Sequence, residues 1–106
     1  MNKSLLSILY AEHSLVPQVN SCEWSINYYR ERIDELLSYD YGNCELSDSL
    51  LQVRKELNAE YLDLYNSKLA TEIAEAGKLQ SELAEVRSEM RTYFEHLFEK
   101  GGKGNG

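Results

Sequence analysis

Apolar residues recur along most of this chain at alternating intervals of three and four, the period of one buried helical face. Leu5, Ile8, Leu9 and Leu15 share one side of a first segment, with Leu6 and Val16 beside them. Pro17 cannot continue that helix but suits the first turn of another. Asn20 followed by Glu23 resembles a capping box at the start of the second segment. There Val19, Cys22, Ile26, Tyr29, Ile33 and Leu36 form one seam. Gly42-Asn43 is a turn dipeptide, because both residues tolerate positive φ. Ser47 or Ser49 then caps a third helix. The pattern predicts helices over about 3–16, 18–39 and 48–99 in a single domain spanning 1–100, with a disordered tail over 101–106.

The third helix changes character along its length. Its second half carries Leu69, Ala76, Leu79, Leu83, Val86, Met90, Tyr93 and Leu97 at the alternating three- and four-residue spacing of a heptad seam, with Glu72 the one polar residue on it. That is a coiled-coil pattern. Ala70, Gly77 and Ala84 repeat every seven residues beside it. In the first half, Leu50, Leu57 and Leu64 run next to Val53, Tyr61, Leu62 and Tyr65, a wider face suited to two helices. Asn66-Ser67-Lys68 is the weakest point in helix propensity and the place for a kink.

Lengths then set the expected architecture. A second helix of about 20 residues covers about 30 Å of a third helix roughly 75 Å long. The seam from Leu69 to Leu97 is thereby left without a partner inside the chain. Self-association as a homodimer or higher homo-oligomer closes it; a reversal near Asn66 would instead bury it in a monomeric four-helix bundle. The predicted fold is all-α: two short helices packed on a long C-terminal helix of coiled-coil type, assembled as an oligomeric helical bundle.

Composition supports helix and narrows the function. The 106 residues include one proline and 6 glycines, four of them in the last six positions. The net charge is −7, from 18 acidic and 11 basic residues. Direct binding to a nucleic-acid backbone needs a basic footprint, so it is not expected; the acidic surface steers the chain toward basic partners or mimics nucleic acid. No stretch approaches the roughly 18 apolar residues of a membrane span, and the N-terminal apolar run is too interrupted for a signal peptide. Two cysteines are too few for a disulfide framework, which points to a reducing, cytoplasmic setting.

Candidate chemistry is sparse. His13 and His96 are each preceded three residues earlier by a tyrosine, so the Glu-x-x-His motif of di-metal helical bundles is missing. Cys22 lies on an apolar seam and Cys44 in the turn, with no CxxC pair, so neither metal nor cofactor is expected. No phosphate loop or nucleophile elbow occurs. The chain is not expected to be an enzyme.

Aromatic placement is more informative. Eight tyrosines stand against two phenylalanines, and tyrosine suits surfaces that are dry at one end and wet at the other. Trp24, Tyr28 and Arg32 are spaced i, i+4, i+8, almost opposite the Ile26/Ile33 seam, with Glu31 and Glu35 beside them. They form either a recognition patch for another protein or the surface that receives the first helix. Tyr28, Tyr29, Arg30 and Arg32 also suggest a site that sandwiches a nucleobase and holds its phosphate.

In size and composition the chain is similar to the small acidic helical proteins with which bacteriophages and mobile elements inhibit host machinery. That resemblance implies a protein–protein interaction module that acts by occupying a surface. The alternatives are a homo-oligomeric coiled-coil scaffold and a nucleotide-sequestering protein.

Overall fold

The computed structural model describes residues 4–105, with side chains described to Glu99. Every regular element among them is helical, and none is a strand: α1 spans Leu5–Leu37, a 3-10 turn spans Tyr41–Asn43, and α2 spans Asp48–Asn105. The expected helix start at residue 3 and the last tail residue, 106, lie outside the described residues.

The capping chemistry explains where the helices begin and turn. The Ser4 hydroxyl accepts from the Ser7 backbone N–H at 3.2 Å, and its carbonyl accepts the first helical bond from Ile8 at 3.1 Å. At the far end of α1 the Ser38 hydroxyl donates to the Asp34 carbonyl at 2.8 Å. The connection is built by Asp40, whose carboxylate accepts from the backbone N–H groups of Gly42 and Asn43. No residue there takes a positive φ, so a side-chain bond shapes the turn rather than a left-handed glycine. Ser47 caps α2: its hydroxyl faces the Leu50 N–H at 3.5 Å and its carbonyl accepts from Leu51 at 2.8 Å. Asp48 follows in the first turn, where the helix dipole favours a negative charge.

Two expectations are corrected here. The predicted pair of short helices is one helix of 33 residues that passes through Pro17. Ile8, Leu15, Val19 and Cys22 are all buried, and their heptad phase does not slip at the proline. Packing of that unbroken seam offsets the cost of an interior proline, about 3 kcal/mol. Pro17 is itself exposed, and the Gln18 side chain donates to the Ser14 carbonyl, one turn before it, at 2.9 Å. Pro17→Ala restores the missing backbone donor but loosens the unfolded chain, which takes back up to about 1 kcal/mol. The expected result is a gain of about 2 kcal/mol, read in a thermal melt as a rise of about 10 °C. Loss of stability would show that the proline is required where it stands.

The second correction concerns the end of α2, which runs to Asn105 where a disordered tail is expected from the sequence; through Asn66–Ser67–Lys68 the helix is unbroken, without the kink for which that point was the candidate. Extending a helix needs no new nucleus, so residues that would not start one can still carry it.

The chain's contacts gather into two compact units, and both helices contribute to each. Unit 1 comprises residues 1–21 and 76–106, and unit 2 comprises 22–75. In unit 1, Ile8, Leu15 and Val19 of α1 are buried together with Ala76, Leu79, Leu83 and Val86 of α2. The Arg87 Nε donates to a Glu12 carboxylate oxygen at 3.1 Å at the edge of that core. In unit 2, Cys22 and Asn58 are buried, and Ile26, Tyr29, Ile33, Leu36, Leu62, Tyr65 and Leu69 are half-buried.

The seam assigned to self-association is therefore filled from within. Ala76, Leu79, Leu83 and Val86 are 5–8% exposed, and Leu69, Met90 and Tyr93 are half-buried. Only Leu97, at 50%, is left open. The premise was that α1 is too short to reach this seam, and a 33-residue helix removes it. Ala70, Gly77 and Ala84 are exposed, and a Cβ added at Gly77 would meet nothing within 4 Å. No helix among the described residues is long and apolar enough to cross a membrane.

Candidate functional site

The residues of interest collect in unit 2. Helical spacing sets Trp24, Tyr28 and Arg32 along one side of α1, and the side chains use it. The Trp24 and Tyr28 rings stack with centroids 5.7 Å apart and planes 12° from parallel. The Arg32 guanidinium carbon lies 5.2 Å from the centre of the Tyr28 ring, the geometry of a cation–π contact. Glu35 receives an ion pair from Arg32 at 2.8 Å, with Glu31 more distant at 3.9 Å. All five residues picked from the sequence thus meet in one cluster.

That cluster does not end on α1. Tyr28 meets Tyr29 edge-on at 5.5 Å, Tyr29 meets Tyr65 of α2 at 6.0 Å, and Tyr65 stacks on Tyr61 at 6.2 Å. Five rings therefore run from Trp24 across to Tyr61. Between the helices an open groove of about 350 Å³ is lined by Arg32, Leu36 and Tyr39 on one side and Arg54, Asn58 and Tyr61 on the other. Tyr61 and Tyr65 stand four residues apart on α2, which is the sequence signal that would have added them to the patch.

Among the described residues, nothing covers this face. Trp24 is 69% exposed and Tyr28 39%. The alternative that they receive the first helix is ruled out, because residues 5–16 belong to the same helix as Trp24. The expectation of two helices on the first half of α2 fails for the same reason. Leu50, Val53 and Leu64 are 46–57% exposed, Tyr61 is 41% exposed, and Leu57 is half-buried. Arg30, named with Tyr28 and Tyr29 for a nucleotide, is exposed and absent from the groove lining.

Polar groups fix the end of unit 2 near the turn. The buried Asn58 side chain donates to the Tyr41 hydroxyl at 2.9 Å, and the Lys55 ammonium lies 5.7 Å from the Tyr41 ring centre. Tyr39 packs on Tyr41 at 4.7 Å, and its hydroxyl lies 3.4 Å from the Cys44 sulfur. That contact, before burial, holds the Tyr39 phenol above its ordinary pKa. Both cysteines are free. Burial pushes the Cys22 thiol up, and a hydrogen bond to Glu72 adds to the effect. Glu72, the one acidic residue on the α2 seam, therefore has a polar neighbour there. Among the described residues, no three His, Cys, Asp or Glu side chains are grouped to hold a metal ion.

Charge separates the two units sharply. Residues 22–75 carry 12 acidic and 5 basic side chains, whereas the remainder carries 6 of each. The whole net charge of −7 thus sits in the unit that bears the aromatic face. No known protein family matches the chain, and comparison with curated proteins and solved structures likewise finds no match.

Proposed function

We propose that this chain is a small helical protein-binding module, and that it acts by occupying a surface of its partner with the exposed face of unit 2. One observation carries the reading: Trp24, 69% exposed, stacks on Tyr28 instead of entering a core. Tryptophan and tyrosine held rigidly at a surface are the side chains that most often dominate binding energy. The open stripe of Leu50, Val53, Tyr61 and Leu64 supplies apolar area on the same unit. Blocking a partner's surface in this way makes an inhibitor of the kind that phages and mobile elements encode. Two free thiols fit a reducing compartment, so we place the protein in the cytoplasm.

The test is capture from native lysate with a tagged chain, run beside Leu64→Glu. That position is 46% exposed, so the substitution should leave helicity intact while placing a charge on the face. A species held by the wild type and lost with Leu64→Glu supports the reading. Equal capture by both chains removes this face from consideration.

Self-association is a second reading, and unit 1 is where it has support. Leu6, Tyr10 and Phe98 are 66–80% exposed there, in a unit whose charges balance. It would use those residues and not the filled seam from Leu69 to Val86.

A further inference from the structure

We propose that the segment docked on unit 2 is a basic amphipathic α-helix of another protein; this rests on the docking reading above and names the chemistry of its occupant. Leu50, Val53, Leu57, Tyr61 and Leu64 are spaced by three or four residues and extend along about 21 Å of α2. A stripe of that length matches four turns of an incoming helix, whose own i, i+3, i+4, i+7 anchors would lie along it. Leu50, Val53, Tyr61 and Leu64, with Trp24 and Tyr28, are each 39–69% exposed, so together they leave a broad apolar surface open.

The sign of the occupant's charge follows from what flanks the stripe. Glu56, Glu60 and Asp63 each directly precede a stripe residue and are exposed, so they form a parallel acidic row along α2. On α1, Glu31 and Glu35 stand three and seven residues beyond Tyr28, and Arg32 is the one cation drawn into that group. An apolar strip with one acidic margin, and with Arg54, Arg32 and Glu35 in the groove on its other side, in a unit with 12 acids against 5 bases, complements a helix with an apolar centre and Lys or Arg along its outer edge. A second copy of unit 2 would set two such acidic surfaces against each other, and an anionic lipid surface or a nucleic acid would be repelled likewise.

The test titrates the full chain with two designed, fluorescein-labelled helical peptides of about 18 residues, long enough to span the stripe. One has leucines on one face and lysines on the other; its counterpart has the same leucine face and glutamates. Emission from Trp24, the only tryptophan, gives a second readout with unlabelled peptide. The lysine peptide should bind at least tenfold tighter than the glutamate peptide, lose about tenfold between about 0.05 M and about 0.5 M salt, and lose tenfold on Leu64→Glu. Equal affinity for the two peptides overturns the charge assignment and leaves the docking face standing. Binding of neither overturns the proposal, while the lysate capture above decides the docking reading separately. Sedimentation of the chain alone showing a dimer that Leu64→Glu dissolves would assign the face to a second copy and overturn the proposal as well.

Discussion

Leu83→Glu should unfold the chain, not dissociate an oligomer. Leu83 is 7% exposed, in a row with Ala76, Leu79 and Val86 and in the same unit as Ile8 and Leu15. Removing its side chain forfeits the 1.5–3 kcal/mol of full burial, and a carboxylate in that place adds the cost of desolvating a charge. Protonation or a shift toward water recovers part of it, so the net loss is about 4 kcal/mol. Small domains hold about 5–15 kcal/mol in all, and a two-helix core stands at the low end. Circular dichroism during a urea titration should show the cooperative transition moved far toward zero denaturant or lost. Phe98→Glu, at an 80% exposed position, should stay within about 0.5 kcal/mol of the wild type. If the seam were an interface between chains, the effect of Leu83→Glu would depend on protein concentration; the buried seam predicts that it does not.

Trp24→Ala should do the reverse, sparing the fold and removing binding. Its stacking on Tyr28 is worth about 0.5–1.5 kcal/mol at most, and with the ring 69% exposed the loss in folding stability falls at the low end. In the proposed complex the same ring becomes desolvated beside Tyr28. Truncating a tryptophan in such a centre costs 2 kcal/mol or more, about a thirtyfold rise in Kd. Titration against the captured partner measures this directly, and Trp24→Phe should recover part of the affinity. A change below about threefold in Trp24→Ala would place the partner elsewhere.

How much of this was legible beforehand depended on which signal was allowed to decide. The seam on α2 and the cluster of Trp24, Tyr28, Arg32, Glu31 and Glu35 follow from helical spacing, which is local. Pro17 misleads because its cost is local too, whereas the compensation comes from contacts with distant residues of α2. The cue was present all the same: Ile8, Leu15, Val19 and Cys22 keep one heptad phase across the proline, which a fresh helix would have no reason to preserve. Dividing α1 in two then made it too short and turned a filled seam into an apparent site of self-association. Tyr61 and Tyr65 were visible as an i, i+4 pair, but only pairing with α1 brings them to Tyr29. The charge of residues 22–75 can be counted from the sequence; only the packing shows that this acidic stretch forms one unit, the one that bears the aromatic face.

Hydroxyl-radical footprinting of the chain, free and with its captured partner, tests the docking face most directly, because the face is built from readily oxidised rings. Trp24, Tyr28 and Tyr61 are 39–69% open in the free chain, and Tyr10 and Phe98 in unit 1 are 68% and 80% open. Oxidation of Trp24, Tyr28 and Tyr61 should fall severalfold on binding, with Tyr10 and Phe98 unchanged. Protection of Tyr10 and Phe98 with Trp24 still reactive would contradict the assignment and move the interaction to unit 1.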